Sequence, residues 1–203
     1  MALAATAGHE SALVSSGMVQ QFEDLSEEVL YWASKQIDQD LAPGTSFGSA
    51  ATALQRWGQP PEAAWPYDPQ RVDTNPSYAP PPGALDPAVC RKAELLQIEL
   101  TIEEVRGHLS SGRPVVLGVY LSLGFFSAPT GHIPFPSARD MIPEGHAVLV
   151  VGYNHSVPPG GVLILRNSWG PAWGDAGYGY LPYAYVQQYG GEAYTIRASP
   201  PLI

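Results

Sequence analysis

The chain has 203 residues, enough for one large domain or two small ones around a substantial core. A formal net charge of −9, with no cluster of Lys and Arg, argues against nucleic acid or an anionic membrane surface as partner, because phosphate contacts need concentrated positive charge. No apolar run reaches the roughly eighteen residues that mark a membrane-spanning helix, and the single cysteine excludes an internal disulfide framework.

The single cysteine leaves a reducing compartment or a secreted protein that does without disulfides, and because Met1 to Gly8 has no basic start and meets His9-Glu10 too soon for a signal peptide, the cytoplasm is expected. Leu3, Ala7, Glu10 and Val14 instead recur at helical spacing and predict an Ala-rich helix with one buried face. A helix that starts at residue one without a cap implies that something belongs before it. Ser26, followed by Glu27 and Glu28, predicts the N-cap of a second helix through about Asp38, with Leu30, Ala33 and Ile37 inward. Pro43-Gly44-Thr45-Ser46-Phe47 reads as a turn into a third helix, whose Ala50, Ala53, Leu54 and Trp57 point one way and which Gly58 ends. From Gln59 to Pro87 prolines preclude long regular elements, which predicts an ordered wrapping loop.

Leu95 to Leu100 suits a short strand, and Thr101 with Glu104 a capping box for a helix reaching Ser111. Val115 to Leu121 follows as a buried strand. The stretch from Phe125 to Glu144 is irregular, and loops of this length in compact domains usually carry function. It leads into Gly145-His146-Ala147-Val148-Leu149-Val150-Val151-Gly152-Tyr153, then a Val157-Pro158-Pro159-Gly160-Gly161 turn, then Leu163-Ile164-Leu165-Arg166-Asn167-Ser168-Trp169-Gly170. Each apolar run predicts a strand and the turn predicts a hairpin, which sets His146, opening one strand, beside Asn167, closing the other. A histidine held by an amide oxygen is an oriented general base. Two further strands are predicted at Gly177–Leu181 and Ala193–Arg197. His9, His108, His132 and His155 read as ordinary surface histidines, no residue set shows metal-ligand spacing, and no cofactor is expected.

GHAVLVVGY, RNSWG and the continuation Pro171-Ala172-Trp173-Gly174-Asp175-Ala176-Gly177-Tyr178-Gly179-Tyr180 resemble, in order, the histidine and asparagine blocks of the papain-like cysteine peptidases. Leu25-Ser26-Glu27, Trp65-Pro66-Tyr67 and Leu181-Pro182-Tyr183-Ala184-Tyr185-Val186 are similar to family landmarks as well. The resemblance implies an α+β, two-lobed fold: a helical lobe over residues 1–90, and a lobe with an antiparallel, barrel-like sheet over 91–203. It implies His146 and Asn167 as catalytic residues, Trp169 as their shield, and Gly44, Thr45 and Gly145 as contacts to a peptide or protein substrate, in a monomer. On sequence alone Gly44 and Thr45 serve equally well as a helix cap.

The resemblance further implies a nucleophilic cysteine at the start of the first helix. Laid on that pattern, Ala2 to Glu10 puts it one residue before Met1, and the family's spacing of roughly 130–150 residues from cysteine to histidine and asparagine agrees. Cys90 lies in a connector with no helix-start context, and reads as a small packed hydrophobe. Three functions stay open: a thiol peptidase whose cysteine precedes Met1, an inactive relative that binds peptides, and an amide-forming acyltransferase.

Overall fold

A computed structural model describes residues 1–40, 42–70 and 78–200. The chain forms two compact units, one of Met1–Leu96 with Ile196–Ile203 and one of Gln97–Thr195.

The first unit is helical, with α1 (Ala2–Ser15), α2 (Glu27–Asp38) and α3 (Phe47–Arg56). The Ser26 side chain caps α2 by accepting from Val29 N at 3.2 Å, and Glu27 and Glu28 occupy the first turn, where carboxylates favour the positive end of the helix. Ser46 caps α3 in the same way through Ser49 N. Ala5, Leu13, Leu25, Val29, Leu30, Ala33, Ala50, Ala53 and Leu54 form the core. The expected inward stripe of α1 is corrected: Val14 is 47% exposed, Leu3 and Ala7 are half-buried, and Ala5, Gly8, His9, Ala12 and Leu13 turn inward instead. Small residues occupy every side of this helix, so its sequence carries no amphipathic contrast from which to choose a face.

His9 is therefore fully buried rather than on the surface. Its Nδ1 lies 3.0 Å from Gln59 Oε1, whose Nε2 in turn donates to Thr6 Oγ1 and the Ser26 carbonyl. Glu10, only 6% exposed, accepts from Leu25 N at 3.0 Å. Of the proline-rich stretch Gln59 to Pro87, residues 71–77 lie outside the described residues; the rest holds a 3₁₀ turn at Glu62–Ala64, isolated bridges from Gln59 to Arg91 and from Pro61 to Leu25, and no longer regular element.

Strands β2 (Val115–Ser122), β3 (Met141–Asn154), β4 (Val162–Arg166) and β5 (Tyr178–Pro182) belong to the second unit, and β1 (Ala93–Ile98) and β6 (Gly190–Ala198) have residues in both; the strands form one sheet in the order β1-β6-β2-β3-β4-β5. The sheet is open, with β1 and β5 at its edges, so it is barrel-like only in a loose sense. β3 pairs antiparallel with β2 and β4, as the hairpin motif predicts. It is longer than expected: it begins at Met141 rather than at His146, and Pro143 falls in the register shift between Tyr120 and Ser122, where no regular ladder bond is owed. Helix α4 (Ile102–Ser110) accepts one half of its capping box, Glu104 N to Thr101 Oγ1 at 3.1 Å, while the Glu104 carboxylate turns to His108 Nε2. Two helices are new, α5 (Leu123–Phe126) and α6 (Tyr183–Tyr189). Val115, Leu117, Phe125, Val148, Val150, Leu163, Leu165, Leu181 and Tyr185 fill the core beneath the sheet.

Candidate functional site

His146 sits on β3 opposite Val119 of β2, and Asn167 follows the end of β4. The antiparallel pairing, Leu149 opposite Arg166, brings the two side chains together: His146 Nε2 lies 2.8 Å from Asn167 Oδ1. That oxygen also accepts from Ser168 N at 2.8 Å. A backbone N–H can only donate, so the amide cannot present its nitrogen in that place, and Oδ1 must be the atom facing the imidazole. The bond to Nε2 then requires a proton on Nε2, and Nδ1 of the neutral ring keeps the lone pair. Burial pushes the His146 pKa below its ordinary value, and the Asn167 bond pulls it part of the way back. The ring is thus neutral near pH 7, a base with one defined basic nitrogen.

Asn167 is itself buried, and its Nδ2 has no hydrogen-bond partner among the described residues. The two hydrogen bonds of this side chain run through Oδ1, one with the imidazole and one from the backbone.

Aromatic rings enclose the pair. Trp169 lies 4.9 Å from the imidazole, centroid to centroid, at 32°, and Phe125 meets the same imidazole edge-on at 6.1 Å. Trp173 stacks on Phe125 at 5.5 Å and donates from Nε1 to the Phe125 carbonyl at 3.0 Å. Gly179 makes room for that indole, since a Cβ there would stand 2.7 Å from Trp173 Cη2. Sequence reasoning found Trp169 but assigned nothing to Phe125, Phe126 or Trp173; the adjacent Phe-Phe pair in a stretch read as loop was the available signal.

Gly145, beside His146, is exposed and has open space where a Cβ would stand. Gly44 and Thr45 belong to the helical unit. Gly44 has φ +88°, its carbonyl accepts from Lys35 Nζ at 3.3 Å, and it borders a cavity of about 360 Å³ lined also by Met1, Ala2, Leu3, Tyr31 and Tyr67. Thr45 Oγ1 is buried without a partner among the described residues. Cys90 is buried with its Sγ toward the Ala84 carbonyl, and burial raises its thiol pKa, the opposite of activation. Among the described residues no group of three or more His, Cys, Asp or Glu is placed to hold a metal, and no helix is long and apolar enough to cross a membrane.

The model of the papain family of cysteine proteases matches residues 1–196. The chain belongs to that family. An uncharacterized peptidase C1-like protein of Acanthamoeba polyphaga mimivirus is 31% identical over 162 residues, which is 74% of this chain and 49% of the viral protein. A probable cysteine protease of Arabidopsis thaliana is 54% identical over 57 residues, 28% of this chain and 15% of that protein. The chain thus matches about half or less of the length of these papain-family relatives. Among solved structures, xylellain, a cysteine protease from Xylella fastidiosa, superposes with a TM-score of 0.80 at 24% identity, over 97% of this chain and 78% of that one. The bromelain protease of Ananas comosus, solved with an inhibitor, gives 0.68 at 20% identity over 98% and 87%. Both share the papain-like fold.

Proposed function

We propose that His146 and Asn167 are the base half of a Cys-His-Asn thiol peptidase, completed by a cysteine at the N-terminal end of α1, immediately before Met1. The observation that supports this most is the 2.8 Å contact between Nε2 and an Asn167 oxygen pinned by the Ser168 N–H, which leaves Nδ1 as the working nitrogen. At a helix N-terminus the dipole favours a thiolate, and the imidazolium formed by transfer of the thiol proton to Nδ1 favours it further. The thiolate attacks an amide carbonyl carbon and a C–S bond forms. As the C–N bond breaks, the Nδ1 proton passes to the departing amine. Nδ1 then takes a proton from water, the hydroxide adds to the thioester carbon, the C–S bond breaks, and the carboxylic acid leaves with the thiolate restored. Trp169 shields the pair, and Gly44, Thr45 and Gly145 contact the substrate backbone. The substrate is a peptide or protein, and the enzyme works as a monomer in a reducing compartment such as the cytoplasm.

The test is the intact mass and N-terminal sequence of the protein isolated from its own source, with a thiol-directed label. The proposal expects a chain running upstream through a cysteine adjacent to Met1, with the label on that residue and not on buried Cys90. A native chain with any other residue in that place refutes it, and leaves a papain-family protein that binds peptides without thiol chemistry.

A further inference from the structure

We infer that Lys35 is a positioning residue for the substrate: its ammonium holds the Gly44–Thr45 peptide plane in the orientation that turns the Thr45 N–H outward. The inference rests on the reading of Gly44 and Thr45 as contacts to the substrate backbone, and adds the residue that fixes them.

Lys35 lies in the last turn of α2, and its side chain is only 12% exposed. An ammonium has three N–H donors and no acceptor. All three are matched here: Nζ donates to Asp40 Oδ1, to the Ala42 carbonyl at 2.8 Å and to the Gly44 carbonyl at 3.3 Å. Each acceptor belongs to the turn between α2 and α3 rather than to a helix. Asp40 Oδ1 also accepts from Ala42 N at 3.2 Å. A second string of bonds ties the helix ends on either side of the turn. Asp38, whose Oδ2 is 3.7 Å from Lys35 Nζ, accepts from Ser49 Oγ, which accepts from Ser46 Oγ at 2.9 Å. A lysine ordinarily keeps its ammonium in water. One drawn inward onto three acceptors of a single turn acts as a cross-link.

The Gly44–Thr45 bond is trans, so the Gly44 carbonyl and the Thr45 N–H leave one plane in opposite directions. Drawing the carbonyl toward Nζ turns the N–H away from the lysine. That N–H has no backbone acceptor among the described residues, while the Thr45 side-chain oxygen is buried. Packing does not fix the plane from the glycine side: Gly44, at φ +88°, has nothing within 4 Å of where a Cβ would stand. Glycine's wide range of φ would let the plane swing, and the bond from Lys35 restrains it. A substrate backbone lying along this turn, beside the cavity that Gly44 shares with Met1 and Ala2, then meets a donor already aimed at its carbonyl oxygen.

The experiment compares the full-length native protein with Lys35→Met, which keeps the stem and removes the donors. Asp40→Ala, at a side chain 57% exposed, removes one anchor and leaves both helices untouched, so the question stays answerable if Lys35→Met fails to fold. Two rates are read: kcat/KM on a blocked peptide, and inactivation by iodoacetamide, which carries no peptide backbone to meet the turn. The expected loss of kcat/KM is about tenfold in Lys35→Met, the worth of one backbone hydrogen bond, and about threefold in Asp40→Ala. It appears chiefly as a raised KM, because the contact is made before and during bond breaking. Inactivation stays within about twofold of native, since thiol reactivity does not pass through the turn. Equal losses in both rates, as from a lysine that merely supports the fold, overturn the inference, and so does an unchanged kcat/KM. Binding is read separately by NMR with an N-acetylated dipeptide amide. A shift of the Thr45 amide in the native protein that is lost in Lys35→Met supports the inference even where no peptide is cleaved and the peptidase reading fails. The same shift in both proteins, or in neither, overturns it.

Discussion

Glu10→Gln should stabilise the protein at neutral and alkaline pH, by an amount that grows through a defined window. Glu10 is 6% exposed, and burial, reinforced by Asp24 and Glu27, raises its pKa from 4.5 to about 7 against the lowering effect of the Leu25 N–H. Between those values the folded chain keeps a proton that the unfolded chain has released, so stability falls as pH rises. The gap from 4.5 to about 7, at about 1.4 kcal/mol per pH unit, amounts to about 3 kcal/mol, present in full below the unfolded value and lost above about pH 7. Glutamine keeps the shape and the acceptor for Leu25 N but carries no charge at any pH. Urea denaturation of both proteins from about pH 4 to pH 8 should give a stability difference near zero at the acid end, rising to about 3 kcal/mol in favour of the variant. His9 and His146, whose pKa values burial lowers, impose the opposite slope, since stability is lost as pH falls through their range; both proteins carry them, so they cancel in the difference. A difference that stays flat across the series would refute the account of Glu10 as a buried, proton-holding carboxyl.

The imidazole offers a paired test by NMR titration of His146 in two variants. Asn167→Leu removes the oxygen while keeping the site dry, and should lower the His146 pKa further; Asn167→Asp places a carboxylate there and should raise it, and equal values in both would contradict the assigned bond. Gly179→Ala should cost about 1–3 kcal/mol, measured by denaturation, because its Cβ would meet Trp173 Cη2 at 2.7 Å and Leu165 Cδ1 at 3.0 Å.

Much of this architecture was legible where a local rule and the packed structure agree. Ser26 and Thr101 cap the helices they announce, because a side-chain oxygen meeting an amide two or three residues on is a local event. The His146–Asn167 pair follows from two apolar runs and a turn, since antiparallel pairing fixes what lies opposite what. The inward face of α1 was not legible, because alanine, glycine and threonine pack on any side, and only the Gln59 amide, fifty residues away, gives His9 a reason to be buried. The ring enclosure of the site was hidden for a similar reason. Phe125 and Phe126 are identical in sequence terms, yet one stacks on Trp173 in the core and the other on Trp169 in the open.

The Ser168 N–H has a consequence for how this site tolerates change. Which imidazole nitrogen carries the proton is set by a main-chain group, while the Ser168 side chain is exposed. Any amino acid at that position supplies the same N–H, except proline, which has none. The identity of residue 168 is therefore nearly free to drift while its backbone bond is not. A single proline there would remove the donor and set its ring carbon against the amide oxygen, so the amide would lose the contact that fixes which of its atoms faces the imidazole.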